Sequence, residues 1–275
     1  MSQTDTNRAY LKIDRVCQEL RRGGMVMLRI GTGAACLLRA AELARPDDRT
    51  ELQRLGGSGA LLVLTHTRME SLGRDLPSDF CSASLPVHNL GHDQIGRLAV
   101  EQPSGDLLDD SISLMGERRG SLADYATRLL RLAKLLPAVL RARVSSRDPG
   151  QRQRLCEDNS IMLIEGRDID SHIEAEAQSL RIAARASVPL RLAEDAEVVM
   201  FRAELGGDEH FAVIVGTIDA DEAPLVRLHS QCITGDILGS LKCDCGDQLQ
   251  AALAMMSEAG GGILLYLAQE GRNIG

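Results

Sequence analysis

Three cysteines near the end of the chain constrain its fold more than any other feature. Cys232, Cys243 and Cys245 form a C-x10-C-x-C pattern within HSQCITGDILGSLKCDCGDQLQ. The intervening Gly235 and Gly239 predict a loop that folds back on itself. If residues 243–245 are extended, the last two sulfurs point the same way. Thiolates bind zinc at about 2.3 Å, and three protein ligands leave a fourth position for water or substrate. The pattern therefore predicts a zinc site with an open position, which favours catalysis.

Other interpretations of these cysteines stay open at this point. Buried cysteines without a metal are common core residues. His229, three residues before Cys232, could supply a fourth protein ligand, and the spacing does not decide this. A disulfide between Cys243 and Cys245 is disfavoured because they are too close in sequence, and one thiol would stay unpaired.

The remaining cysteines indicate the compartment. Cys17, Cys36, Cys81 and Cys156 have no motif spacing, and the total of seven is odd. We interpret these four as reduced structural thiols, and with the metal-like cluster they predict a reducing cytoplasm. The polar first residues, which include acids, are unlike a secretory signal. No apolar run reaches about 18 residues, so we expect no membrane helix.

Charge and composition narrow the function classes. The net charge of −8 and pI of about 5.3 argue against nucleic-acid binding, which needs a basic surface. A single nucleotide needs only a local cluster of donors and stays possible. With 44% hydrophobic residues but only 2% aromatics, the core must be built from Leu, Val, Ile, Ala and Met.

Periodicity predicts an α/β (α+β) fold with two domains. In the first, residues 1–8 are expected to be loose, and 145–154 to form a basic surface loop. Helices are predicted over 10–22, 34–43, 121–144 and 168–186, and strands over 25–30, 61–65 and 161–164. After a junction near residue 187, strands over 198–205 and 211–218 predict a hairpin. A strand over 225–228, a helix over 246–259 and a strand over 263–267 follow. The predicted domains are 1–187 and 188–275.

From about residue 188 the chain resembles GTP cyclohydrolase II, an enzyme of riboflavin biosynthesis. The resemblance rests on VRLHSQCITGDILGSLKCDCGDQL (226–249) and LLYLAQEGRNIG (264–275). It implies a hydrolase acting on cyclic amidine C–N bonds. Such an enzyme opens the imidazole ring of GTP and releases formate and pyrophosphate. The product is 2,5-diamino-6-ribosylamino-4(3H)-pyrimidinone 5′-phosphate, and this is the first step of the pathway.

The resemblance also assigns roles to individual residues. It implies one zinc per chain on Cys232, Cys243 and Cys245, Mg²⁺ with the triphosphate, and a homodimer. The GTP contacts that it implies are Arg227, Leu228, His229, Ser230, Gln231, Gln248, Glu270, Gly271 and Arg272. Arginine forks suit phosphate oxygens, and Glu270 can accept hydrogen bonds from the guanine edge.

Three departures from the family pattern stand out. Gln231 stands where the family more often has Glu, and Asn273 stands where Gly is commoner. The pattern also continues past Gly275, where the nucleophilic Arg and the catalytic Asp and Tyr lie. We therefore expect a truncated chain with no catalytic residue within 1–275 and no activity by itself. The alternative is a non-catalytic zinc or nucleotide-binding paralogue.

The first domain resembles, weakly, 3,4-dihydroxy-2-butanone 4-phosphate synthase in its order of elements around GGMVMLR. The acidic run of that family is replaced by residues 30–35 (IGTGAA), and its Gly-His-Thr-Glu signature aligns with residues 120–123 (GSLA). Without carboxylates a hard metal ion lacks ligands. We therefore expect a degenerate domain that serves folding or association. The glycines of Gly31-Thr32-Gly33 could instead cradle a phosphate.

Overall fold

The computed structural model describes residues 3–101, 108, 112–204, 207–219 and 221–269, with side chains from Ala9 onward. The chain divides into two compact units, 1–172 and 173–275. Among the described residues, no helix combines the length and the apolar character needed to cross a bilayer.

The first unit is built on a seven-stranded mixed sheet in the order β5-β4-β3-β6-β2-β1-β7. The strands are β1 (Val26–Ile30), β2 (Ala34–Ala40), β3 (Leu61–Thr65), β4 (Ser82–Pro86), β5 (Met115–Glu117), β6 (Val139–Arg143) and β7 (Met162–Glu165). The helices are α1 (Gln3–Arg21), α2 (Asp48–Gly56), α3 (His66–Ser71), α4 (His92–Val100), α5 (Leu122–Leu132), α6 (Pro149–Asp158) and α7 (Gly166–Gln178), with a 3-10 turn at Ala41–Leu43. β1 and β7 are parallel, and the other pairs are antiparallel.

Both faces of this sheet are covered. Side chains alternate along a strand, so Leu37 packs in one cluster with residues of α2, α3, α4 and α6, and Leu38 packs in the other with residues of α1 and α5. Each buried leucine stabilises the unit by roughly 1.5–3 kcal/mol of transfer free energy. The result is a three-layer α/β/α arrangement.

Local sequence explains where these elements begin and turn. Gly31, at φ +55°, closes the hairpin between β1 and β2 in a conformation that favours glycine. Ser121 caps α5 by accepting from the Asp124 amide at 3.2 Å. Asp148 caps α6, which has Pro149 in its first turn.

The second unit carries a five-stranded sheet in the order β11-β12-β10-β9-β8. The strands are β8 (Leu180–Ser187), β9 (Ala196–Ala203), β10 (Glu209–Gly216), β11 (Leu225–Ser230) and β12 (Gly261–Leu267), and the helices are α8 (Ile233–Asp236) and α9 (Cys245–Glu258). β11 and β12 are parallel, as a crossover through α9 requires. One apolar cluster, centred on Met256 and Leu264, joins α9 to the sheet.

Several predicted elements are confirmed. β1, β3, β7, the β9–β10 hairpin, β11, α9 and β12 lie within a few residues of their predicted positions. Leu249, Leu253 and Met256 form the inner face of α9, as predicted.

Other local predictions are wrong. The helix predicted over 34–43 is strand β2 (Ala34–Ala40) followed by a 3-10 turn (Ala41–Leu43), because an apolar run buried on both sides has no period that separates helix from strand. The helix predicted over 121–144 ends at Leu132. Lys134 has φ +55° and Pro137 follows, and the chain then enters β6. Helix α1 begins at Gln3, within the segment expected to be loose.

The segment around the junction also differs from its prediction. Residues 180–187 pair with β9 in the sheet of the second unit, so the structural division lies between 172 and 173, ahead of the predicted junction near 187. His172, expected at the surface, is buried and contacts Tyr10, with ring centroids 4.4 Å apart and the rings tilted by 31°. The predicted loop 145–154 contains the first turns of α6, and its Arg152 is buried.

Candidate metal and nucleotide site

The three predicted cysteine ligands meet at one place in the second unit. The sulfurs of Cys232, Cys243 and Cys245 all lie within 4.8 Å of one another. The Sγ atoms of Cys232 and Cys243 are 3.8 Å apart. Cys245 begins α9 rather than continuing an extended segment, so the helix start directs its sulfur into the cluster. All seven cysteines are free thiols, which agrees with the disfavoured disulfide.

Three thiols at these separations fit a tetrahedral metal ion. Four ligands at about 2.3 Å from zinc lie about 3.8 Å apart along each edge of the tetrahedron. The distance between Cys232 and Cys243 matches such an edge. Among the described residues, no His or carboxylate joins the three thiols in this group. The cluster thus has the donor set and spacing for a soft metal with one position left open.

Glycines allow the sulfurs to approach. A Cβ placed on Gly235 would lie 2.8 Å from the Cys243 Sγ and 3.3 Å from the Cys232 Sγ. A Cβ on Gly246 would lie 2.4 Å from the Gly235 carbonyl oxygen. The separations of 2.8 and 2.4 Å are shorter than real Cβ contacts, so side chains at these two positions would push α8 and α9 apart.

The pKa values of Cys232 and Cys245 are shifted in opposite directions. The Thr234 hydroxyl, 3.4 Å from the Cys232 Sγ, and the Gly235 amide, at 3.3 Å, lower the pKa of Cys232. The hydrogen bond with Cys232, burial and the contact with Cys243 raise the pKa of Cys245 to about 12. Three thiolates this close repel one another unless a cation lies between them.

A buried carboxylate holds the first cysteine in place. Asp236, at the end of α8, accepts from the Cys232 amide at 3.0 Å and from the Tyr266 hydroxyl at 2.7 Å through Oδ2. Its Oδ1 lies 3.2 Å from the His229 Nε2, and both side chains are almost fully buried. Burial, followed by the hydrogen bond that the Tyr266 hydroxyl donates to Asp236, raises the pKa of Tyr266. His229, which could have been a fourth ligand, is therefore engaged with Asp236.

Sequence reasoning assigned no role to Asp236 or Tyr266. The available signal for Asp236 was the Thr-Gly-Asp run, whose acid falls on the side of the loop that faces Cys232. Tyr266 could be located only through strand register, which pairs it with His229 and stacks the two rings at 5.7 Å.

The predicted nucleotide residues lie on both faces of β11. Arg227 shares a face with His229, and its Nη2 donates to the Gln248 Oε1 at 2.5 Å. Gln248 in turn donates to Asp244 at 2.7 Å. The structure thus brings together Arg227 and Gln248, two of the predicted contacts, beside the start of α9.

The other predicted contacts are more scattered. Leu228 points to the opposite face and is 63% exposed. The Ser230 hydroxyl accepts a hydrogen bond from the Gln269 side chain at 2.8 Å. The backbone N–H of Gln231 donates to the Leu267 carbonyl at 2.9 Å. Glu270, Gly271 and Arg272 lie outside the described residues.

A second polar region lies in the first unit, where the synthase signature would align. Ser121 is a helix cap, and Leu122 and Ala123 are core residues. The adjacent cavity, about 830 Å³, is lined by Arg118 and Arg128 among others. Arg118 pairs with Asp79 at 2.8 Å and Arg128 with Asp170 at 2.6 Å. Residues 121–123 thus serve capping and packing.

Comparison with known proteins gives one family match. The family model of GTP cyclohydrolase II matches residues 181–275. The chain is 37% identical to GTP cyclohydrolase-2 of Azospirillum brasilense, over 97% of this chain and 69% of that protein. It is 32% identical to GTP cyclohydrolase-2 of Xylella fastidiosa strain Temecula1, over 97% of this chain and 64% of that protein. The chain thus spans about two thirds of the length of these relatives.

Other similarities cover only part of the chain or have low sequence identity. Riboflavin biosynthesis protein RibBA of Cytophaga hutchinsonii is 37% identical over 58% of this chain and 40% of that protein. A crystal structure of a two-domain 3,4-dihydroxy-2-butanone 4-phosphate synthase from A. baumannii has a TM-score of 0.48 and 16% identity, over 94% of this chain and 82% of that chain.

Proposed function

Since the chain belongs to the GTP cyclohydrolase II family, we propose that the protein opens the imidazole ring of GTP. The reaction would release formate and pyrophosphate and give 2,5-diamino-6-ribosylamino-4(3H)-pyrimidinone 5′-phosphate, the first step of riboflavin biosynthesis. The observation that carries this proposal is the convergence of three cysteine sulfurs within 4.8 Å, inside the matched segment. We further propose a cytoplasmic homodimer that takes GTP with Mg²⁺.

Cys232, Cys243 and Cys245 would hold one zinc ion. Bound there, zinc would supply an acidified water and polarise an oxygen near the nucleotide. The chain's own residues position this chemistry. Asp236 fixes the Cys232 backbone through the amide bond at 3.0 Å, so the first ligand cannot swing away from the other two.

The strand and helix beside the cysteines would orient the nucleotide. The guanidinium of Arg227 is preorganised by Gln248 and can present its remaining N–H groups to phosphate oxygens. We assign Leu228, His229, Ser230, Gln231, Glu270, Gly271 and Arg272 as further GTP contacts, by resemblance to the family. Holding a substrate in its reactive orientation can lower the activation free energy of a reaction by about 7–11 kcal/mol.

The first test is metal content. We expect one zinc per chain in freshly purified, reduced protein, and none in Cys243→Ser. Cys156→Ser is the matched control, because this thiol is buried in the core of the first unit and is not a member of the sulfur cluster. Elemental analysis that finds no metal in the unmodified protein, or equal loss in both variants, would remove the metal site from the proposal.

The second test is turnover and separates the enzyme from a non-catalytic binding paralogue. Formate release from GTP with Mg²⁺ should be measured for the unmodified protein and for its Cys243→Ser variant. We expect release only from the unmodified protein. Saturable GTP binding with no formate would instead identify a binding protein. We also expect no conversion of ribulose 5-phosphate, because the first unit lacks the synthase carboxylates and histidine at the aligned positions.

A further inference from the structure

We propose that the first unit contains a binding site for a phosphoryl anion, separate from the cysteine cluster. The site is a cavity of about 270 Å³ beside the β1–β2 turn, lined by Arg143, Arg147 and Arg152 together with Ser145 and Gly33. The cavity lining contains no carboxylate. We refer to it below as the three-arginine cavity.

The three arginines of this cavity lack acidic partners among the residues that the structure describes. Within the described ranges, none of the three arginines forms an ion pair with a carboxylate. The nearby Asp148 is occupied as the cap of α6, accepting from the Gly150 amide at 2.9 Å. The larger cavity of the same unit differs, because its Arg118 and Arg128 are each paired with an aspartate.

Arg152 is the buried cation of the site, and backbone contacts hold it in place. It is only 3% exposed, and its Nε and Nη2 each donate at 2.7 Å to a backbone carbonyl, those of Ser146 and Gly33. Burial, and then the charges of Arg29 and Arg147, lower the pKa of Arg152. Two neutral carbonyls fix the guanidinium plane but do not neutralise it. A buried charge without a counter-ion is costly, and a bound anion would offset that cost.

The surroundings add donors from two other directions. Arg143 ends β6, and Arg147 precedes α6; both are exposed and can move onto a ligand. A Cβ on Gly33 would meet no atom within 4 Å, so the space beside the turn is open.

The glycine turn itself is not the cradle that its sequence suggested. The Gly33 amide donates to the Ile30 carbonyl at 3.3 Å, which closes the hairpin, and the Gly33 carbonyl accepts from Arg152. Guanidinium groups would therefore supply the donors. Arginine forks match the oxygens of a phosphate. The lining has no aromatic ring for a base to stack on, so the ligand would be recognised through its phosphoryl group.

Calorimetric titration of the 275-residue chain at fixed ionic strength tests this. The probes are inorganic phosphate, glycerol phosphate and pyrophosphate, which separate a free phosphate, a monoester and a diphosphate. Sodium chloride is the blank. We expect saturable binding of at least one probe at one site per chain. Arg147→Ala should weaken it roughly tenfold, since each charge-assisted hydrogen bond contributes strongly.

Arg154→Ala is the matched control, because Arg154 is exposed on α6, seven residues after Arg147, and lies outside the cavity lining. It removes the same charge and should change the dissociation constant by less than about twofold. Cys243→Ser should leave phosphate binding unchanged, which separates this site from the nucleotide site. Equal weakening by Arg147→Ala and Arg154→Ala would mean non-specific attraction and overturn the proposal. Absence of saturable binding by all three probes would do the same.

Discussion

Leu37 and Leu228 are both leucines on strands, yet Leu37 is fully buried and Leu228 is 63% exposed. The contrast extends to the sheets that carry them. The first sheet is covered by apolar clusters on both faces, whereas the buried cluster of the second has five residues on one face. Strands β8 and β11, at the two edges of the second sheet, are largely exposed.

The two units are therefore stabilised in different ways. Burial of leucine, valine and methionine dominates in the first unit. In the second, a polar network around Asp236 and the cysteine cluster fixes the loop between β11 and α9. Apolar truncations should affect the first unit most, and polar substitutions should affect the second.

The largest expected effect is truncation in the first core. Leu37→Ala leaves a cavity in a sheet packed on both sides and should lower the free energy of unfolding by roughly 2–5 kcal/mol. Leu228→Ala, the same change on an exposed strand, should cost less than about 0.5 kcal/mol. Urea titrations of both variants check this. Similar losses would show that the second sheet is covered by something else in solution.

The next effect should come from Asp236. Asp236→Asn keeps the side-chain size but replaces a charged acceptor with a neutral amide, which weakens the hydrogen bonds from Cys232 and Tyr266. We expect a loss of about 1–3 kcal/mol from the second unit. The Cys232 amide, which donates to Asp236, should exchange faster with deuterium.

Asp244→Asn is the control for that experiment. Asp244 is exposed and accepts one bond from Gln248. Its substitution should leave the deuterium exchange rate of the Cys232 backbone amide unchanged within experimental error. Unchanged exchange in Asp236→Asn would show that the loop does not depend on this carboxylate.

The same contrast explains what could be predicted from the sequence. The convergence of Cys232, Cys243 and Cys245 was predictable, because three cysteines in one short segment need only a local turn to meet. The role of Asp236 was not, because its three partners come from β11, the loop and β12, and only tertiary register brings them together.

Errors in secondary structure have a similar origin. Residues 34–40 lack a diagnostic period because their strand is buried on both faces. Arg152 lies in a basic segment typical of a surface loop, and its burial depends on the distant carbonyl of Gly33. Local patterns identified α9 well because it has one exposed and one buried face, and they identified the hairpin because two apolar runs flank a Gly-Gly-Asp turn.

A smaller effect is expected from filling the sulfur cluster. Gly235→Ala would place a methyl group 2.8 Å from the Cys243 Sγ. Overpacking of this kind costs about 1–3 kcal/mol, and here it would separate the metal ligands. Competition with a zinc chelator should show weaker metal retention. Gly33→Ala, where the added Cβ meets no atom within 4 Å, should retain zinc like the unmodified protein. Full retention in Gly235→Ala would mean that α8 and α9 can separate without disturbing the sulfurs.

The smallest effect concerns pH and belongs to the first unit. His172 is buried against Tyr10, and burial lowers its pKa, while Asp14 acts in the opposite direction. A histidine with a lowered folded pKa binds its proton more readily when unfolded. Its contribution to stability is therefore complete above the unfolded pKa of about 6.5 and declines as pH falls below that value. One proton limits the slope to about 1.4 kcal/mol per pH unit.

Urea titrations between neutral and mildly acidic pH should show this decline, and His172→Phe, which keeps a ring against Tyr10, should reduce it. His88→Phe, at an exposed position, should leave the slope unchanged. An equal slope in His172→Phe and the unmodified protein would assign the acid sensitivity to other groups.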